Sequence, residues 1–370
     1  MNTEQAGTAF EQLAPAGLAE SWDNPGWQVR VPGEVTGVLL AMEATSGVID
    51  EASSTGCNVV FTHHPAIFKP LKSLDLESQS GKAVGEAIRR GISIWSAHTN
   101  LDVSPFGTSF ALAAALGIQN ARVLSRSGAK HFKLVVFVPA SHVEQLKSAM
   151  ASAGAGRIGD YSGCFWQVLG SGEFKPEAGA DPSVGEVGRT ESVEEYRLES
   201  VVAERDVSAV IAAMRAAHPY EEVAFDLYPL SNPVPSRGAD FGYGAIGTFA
   251  TPLSTAEAAR HAVKALDSAV CSVAGRPDRL HERVAVVGGS GTSFMGEAIR
   301  GGATLFITAD VRYHDAQDAV DRGLDLIVLD HYSTERPVLE SVQVRLTALL
   351  PGVPVRVSAL SSSPYVRIEP

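Results

Sequence analysis

At both ends of this 370-residue chain, short apolar runs rich in Val, Ile and Leu are each followed by a polar turn and then an alanine-rich amphipathic stretch. Few architectures accept that rhythm. Apolar runs of about four to eight residues bounded by turns read as buried strands, and strands alternating with helical segments read as a sheet covered by helices. Strands are expected at 35–42, 58–62 and 92–97 with helices at 46–55 and 81–90. The pattern returns with strands at 284–287, 303–308, 326–329 and 353–357 and helices at 294–300, 314–322 and 336–350.

The middle differs. A strand at 133–139 and a helix at 140–153 precede a stretch, 154–190, rich in Gly, Ser, Pro and charge. A strand at 196–202, a helix at 206–217 and a strand at 223–230 follow, then a Pro/Gly-rich linker from Ser231 to Gly238. Two strand-helix-strand units of this size suggest a ferredoxin-like α+β module. The predicted fold class is therefore α/β: a two-part α/β domain, 1–128 with 236–370, its sheets covered by helices, interrupted by an inserted α+β domain at 129–235.

Hydrophobic residues make up 45% of the chain and charged ones 19%, too apolar for large disordered tracts. Thirty basic against forty-two acidic side chains give a net charge of −12, which argues against a surface for nucleic acid or anionic membranes. An anionic ligand would need local positive charge. The scattered Cys57, Cys164 and Cys271 suggest neither a disulfide framework nor a cysteine zinc site. No signal-peptide pattern and no run of about 18 apolar residues is present, so a cytoplasmic, soluble protein is expected.

Three strand ends carry chemistry. His63 and His64 close the apolar run ending Phe61-Thr62, and a break at Pro65 could aim both imidazoles into one crevice; a surface pair closing a strand is the plain alternative. The next strand ends in Ala97-His98-Thr99-Asn100-Leu101-Asp102, where Asp102 alone reads as a turn or cap and His98 alone as a core histidine. The third runs through Asp330 into His331 and Glu335, four apart and so on one helix face, although a carboxylate there also suits a helix N-terminus. Together His63, His64, Asp102, His331 and Glu335 suffice for two metals if one carboxylate bridges. Nitrogen and oxygen ligands suit Zn, Fe, Mn, Co or Ni better than Ca.

Other patterns are weaker. The Gly288-Gly289-Ser290-Gly291 turn lacks a glycine at Phe294 for a dinucleotide fingerprint, and Glu297 stands where a Walker lysine belongs. It reads as an anion-binding turn or a tight structural one. Tyr313-His314-Asp315, after Asp310, reads as a crevice wall or a helix cap, and His218-Pro219-Tyr220-Glu221-Glu222 as a structural corner.

The strings Ser21-Trp22-Asp23-Asn24-Pro25-Gly26, Thr62-His63-His64-Pro65-Ala66-Ile67-Phe68-Lys69-Pro70, Ala97-His98-Thr99-Asn100-Leu101-Asp102 and His331-Tyr332-Ser333-Thr334-Glu335 resemble the NIF-three-like family, also called GTP cyclohydrolase I type 2 homologues. Gly172-Glu173-Phe174-Lys175-Pro176, Val184-Gly185-Glu186-Val187-Gly188 and His218-Pro219-Tyr220-Glu221-Glu222 resemble the PII/CutA-like insert of its longer members. The resemblance implies two divalent ions per chain, with Zn, Fe or Mn foremost: His63 and His64 one to each, Asp102 and His331 as further ligands, Glu335 as bridge. It implies a ring-shaped homohexamer. It also implies a metal-dependent hydrolase acting on a nucleotide or other phosphate-containing molecule, in the named activity by attack of hydroxide on C8 of the guanine of GTP, with His98 as proton shuttle. The alternative is a non-catalytic metal-binding scaffold or ligand sensor acting through the insert and oligomer contacts. Glu43 stands where the family usually shows Asp. Asp330 stands where it shows Gly, and is expected to perturb the backbone beside His331 and add negative charge near the metals.

Overall fold

The computed structural model describes residues 1–126, 131–180, 183, 185–231 and 241–366. The predicted linker, apart from Ser231, lies outside these residues. The chain forms two compact units, Met1–Ser127 with Ala239–Pro370, and Gly128–Gly238.

The first unit holds two sheets. In the five-stranded one, Val38–Ala41 lies between Val355–Val357 and Val59–Thr62, followed by Ser93–Ser96, all parallel, with Gly26–Val29 antiparallel at the edge. Its strands read as continuous apolar runs because both faces are buried. Val38, Leu40 and Phe61 face Phe10 and Leu13 of the Thr3–Leu13 helix and Val342 and Leu346 of the Val338–Leu349 helix. Leu39, Ala41 and Val60 face Ile49 and Val84 of the helices Ser46–Ser54 and Gln79–Arg90. Neighbouring residues thus serve opposite cores, as the two-residue repeat of a strand requires.

The six-stranded sheet runs Cys271–Ala274, Asp325–Leu329, Leu305–Ala309, Leu280–Ser290, Gly242–Ser254, Gln119–Arg126, its middle three strands parallel and the rest antiparallel. The Thr255–Leu266 helix, opened by a reciprocal Ser254–Glu257 capping box, covers one face through Ala258 and Ala262. On the other face Phe306 and Leu326 pack with Met295 and Ala298.

The second unit is a four-stranded antiparallel sheet in the order Phe165–Phe174, Glu191–Ala203, His131–Pro139, Phe225–Pro229, with the helices Val143–Ser152 and Val207–Ala217 completing a βαββαβ, ferredoxin-like path. Its first strand after the helix falls inside the stretch whose composition reads as irregular. Phe165–Phe174 is mostly exposed and broken by Gly170 and Gly172, so it shows no apolar alternation. Ten registered pairs with Glu191–Ala203, not a hydrophobic face, hold it extended.

Phe10 is fully buried and meets the rings of Trp27, Phe61 and Trp95 at 6.0, 5.4 and 5.4 Å. Phe10→Ala is expected to cost about 3–5 kcal/mol. Val344→Ala, on the exposed side of the Val338–Leu349 helix, should stay within about 0.5 kcal/mol. Urea denaturation midpoints of the two variants check the contrast.

Candidate metal centre

Strand ends bring the site together. Val59–Thr62 and Ser93–Ser96 run parallel in register, Thr62 opposite Ser96, so His63 and His64 leave one strand beside Ala97 and His98 on the next. The His63 and His64 amides still bond to Ala41 and Met42 carbonyls at 3.2 and 2.9 Å. Past Thr62, however, the side chains no longer diverge: the two imidazoles lie 4.9 Å apart, where successive strand residues would point to opposite faces. In the other sheet Leu305–Ala309 and Asp325–Leu329 end side by side and deliver Asp310 and His331.

Glu335 is the meeting point. One helical turn after His331, it places Oε1 3.1 Å from His331 Nε2 and Oε2 3.1 Å from His64 Nε2 and 3.9 Å from His63 Nε2. Asp102 Oδ1 lies 3.4 Å from His63 Nε2. All five residues picked out as ligands from the sequence are therefore gathered in one cluster. His98 joins them, its ring 5.3 Å from that of His63 and 5.6 Å from that of His64. The ligand atoms of His64, His331 and Glu335 all lie within 4.8 Å of one another, as do those of His63, His64 and His98, and each trio can hold a metal ion.

The donor atoms fit a cation. His63 Nε2 and Glu335 Oε2 are buried and make no hydrogen bond among the described residues, a costly state for polar atoms unless an ion takes their lone pairs. Glu335 lies at hydrogen-bond distance from His64 and His331 but 3.9 Å from His63, so the nitrogen and oxygen atoms converge on shared space. Each imidazole is instead oriented through its Nδ1, His63 by the Ala97 carbonyl at 2.9 Å, His64 by Glu43 at 2.7 Å and His331 by Asp310 at 2.6 Å. That is how metal-ligating histidines are usually fixed, leaving Nε2 to the ion.

The titration behaviour follows the same geometry. Complete burial pushes His63 down to about 3, leaving it a neutral ring with a free lone pair. Burial opposes charge on His64 as well, but Glu335 and Glu43 outweigh it and raise the group to about 10. Its bond to Glu335, ahead of the cost of burial, lifts His331 to about 9. Burial and then the Glu335 charge push Asp102 up to about 7. Burial also resists ionisation of Glu335, yet His331 and His64 hold it well below the usual carboxylate range. Protons on imidazoles balance the carboxylates here, and a cation can replace them.

Two further residues support the cluster without being among the five expected ligands. Asp23 accepts from His98 Nδ1 at 2.8 Å and from the Thr99 amide at 3.0 Å, and these bonds outweigh burial to keep its carboxyl ionised. Thr108 donates to Asp102 Oδ1 at 2.7 Å. A threonine opening a helix looks like an ordinary terminus, so nothing in the string marks it.

The glycine-rich turn is structural. The Gly289 and Gly291 amides donate to the Thr334 and Thr308 hydroxyls, each at 2.9 Å, so they are not offered to an anion. A Cβ on Gly289, which has φ +65°, would stand 2.2 Å from Glu335 Oε1. The expectation for Asp330 also fails. It caps the His331–Glu335 helix, accepting from the Ser333 amide at 2.9 Å and from the Ser268 and Ser333 hydroxyls at 2.5 and 2.6 Å. Its charge is spent on those donors, and its extended backbone is what a helix cap needs. His218 is a corner: Nε2 bonds to the Phe137 carbonyl at 2.9 Å and Nδ1 accepts from the Tyr220 amide at 3.1 Å. His314 sits in the first turn of the Tyr313–Asp321 helix, 3.2 Å from Gln317, and does not join the cluster.

The sequence as a whole matches the Duf34/NIF3 (NGG1p interacting factor 3) family model over residues 1–364. A Halalkalibacterium halodurans protein named GTP cyclohydrolase 1 type 2 homolog is 38% identical, covering 92% of this chain and 91% of its own. The Bacillus subtilis protein of the same name is 36% identical over 99% of this chain and 98% of its own. Among solved structures, a Bacillus cereus protein related to NIF3 aligns with 100% of this chain and 99% of its own at 36% identity and a TM-score of 0.69.

Gly289→Ala is expected to weaken zinc binding by about tenfold or more, because the added methyl must displace Glu335. Gly352→Ala also has positive φ but nothing within 4 Å of the new Cβ, and should keep wild-type affinity. Competition with a chromophoric chelator measures both.

Proposed function

Since the chain belongs to the Duf34/NIF3 family, we propose that it is a metal-dependent hydrolase with a dinuclear centre. The observation that carries this reading is the pair of buried, unbonded ligand atoms, His63 Nε2 and Glu335 Oε2, among three imidazoles and two carboxylates. In the arrangement proposed, His63 and Asp102 would hold one ion and His64 and His331 the other, with Glu335 shared between them. When bound there, divalent ions would supply an activated water near neutral pH and a positive clamp for an anionic substrate. Zn, Fe and Mn match the donor set.

The remaining chemistry belongs to the chain. Asp23 engages His98 Nδ1, so Nε2 is the nitrogen left to take a proton from the nucleophile's side and return it to the leaving group. Glu43 and Asp310 keep the His64 and His331 rings turned toward Glu335. The name carried by the relatives supports a nucleotide as substrate, and the clamp would provide the local positive charge that a chain of net charge −12 lacks.

The test is turnover of a panel of nucleotides and phosphodiesters by protein loaded with Zn, Mn or Fe. At least one should be hydrolysed, and His98→Ala should lower that rate by about 10²–10⁴-fold with metal content unchanged. Fully loaded protein that hydrolyses none of them would overturn the enzyme reading in favour of a metal-binding scaffold.

A further inference from the structure

Two large aromatic side chains stand in solvent beside the cluster. Trp22 is 59% exposed and Phe68 42% exposed, in a chain whose other aromatic rings near this point, Phe10, Phe61 and Trp95, are buried. Their rings lie 5.9 Å apart, and each is 6.2 Å from the ring of His98 at a steep angle, 75° for Trp22 and 79° for Phe68. The three rings therefore form an open corner, with His98 between the two apolar rings and the cluster.

The corner is not a loose surface feature. The Glu20 amide donates to Thr99 Oγ1 at 3.0 Å and Asp23 is fixed to His98 and Thr99, so Trp22 is pinned from both sides. Asn24 Nδ2 donates to the Ile67 carbonyl at 2.6 Å and the Ile67 amide to Gln28 Oε1 at 3.0 Å, which laces the segment bearing Phe68 to the one bearing Trp22. Hydrogen-bonded anchors thus hold two exposed apolar rings at a set spacing. Their exposure does nothing for the fold, since apolar area left in water forgoes burial. Held aromatic faces are the means by which proteins take up flat π-systems such as bases, through stacking that tolerates the ring's identity.

We propose that Trp22 and Phe68 form a subsite for the planar heteroaromatic ring of the substrate, stacked in the corner so that the ring's edge meets His98 and the metal cluster behind it. This rests on the hydrolase reading above and assigns the side chains that would hold the base of the nucleotide proposed there. The ring is held by Trp22 and Phe68, and the anion by the metal side.

Isothermal titration of zinc-loaded protein with GMP and with ribose 5-phosphate separates the two halves, because the probes share the phosphate and differ in the ring. GMP is expected to bind at least about tenfold more tightly, and Trp22→Ala or Phe68→Ala to reduce GMP binding to the ribose 5-phosphate level. Trp22→Phe should retain most of the preference, which a general loss of structure would not. Zinc content is measured on every sample. Equal binding of the two probes, no binding of either, or alanine variants that bind GMP like the wild type would overturn the subsite while a full zinc complement left the metal centre standing. Alanine variants that change the oligomeric mass by light scattering but not GMP binding would assign the corner to contacts between copies instead, and also overturn it. Protein that takes up no zinc would instead overturn the reading on which the subsite rests.

Discussion

One buried carboxylate organises the His/Asp/Glu cluster of this molecule. Glu335 reaches toward His63, His64 and His331, from two strand ends in different sheets, and its side chain is only 6% exposed. A carboxylate in that position needs positive charge from every direction. Without metal the chain supplies it as protons on His64 and His331, and the neutral His63 lone pair marks where protonation fails. The surrounding design serves this group. Gly289 lacks a side chain because a Cβ would strike it, and Glu43, Asp310 and the Ala97 carbonyl turn the three imidazoles to face it.

The two sheets are what make such a meeting possible. Parallel strands end together, so His63, His64 and His98 leave adjacent strands on one edge and Asp310 and His331 leave another pair. Placing binding chemistry at the carboxyl ends of parallel strands is the general habit of α/β sheets. Here two such edges contribute to one cluster. The five-stranded sheet gives the imidazoles of His63, His64 and His98 and, through the short helix after its last parallel strand, Asp102; the six-stranded sheet gives His331 and Glu335.

Much of this was legible in the string, for physical reasons. Strands buried on both faces must be continuously apolar, so Val59–Thr62, Leu305–Ala309 and Asp325–Leu329 stand out with the polar residues that end them. The four-residue step from His331 to Glu335 fixes a shared helix face. What stayed hidden depends on contacts distant in sequence. Phe165–Phe174 is extended by pairing with a neighbour. Thr108 matters only because Asp102 folds against it. Asp330, which stands where charge beside His331 looks disruptive, is satisfied by Ser268, 62 positions away. Trp22 and Phe68 fall in two of the quoted strings, but their meeting around His98 is set by packing that neither string shows.

The central claim is that Glu335 bridges two ions. Inductively coupled plasma mass spectrometry on untagged protein, loaded and desalted, tests it most directly when the wild type is compared with Glu335→Gln. A shared carboxylate predicts about two transition-metal ions per chain and the loss of both in the variant. Protein that refuses metal altogether, or a variant that keeps both ions, would contradict it.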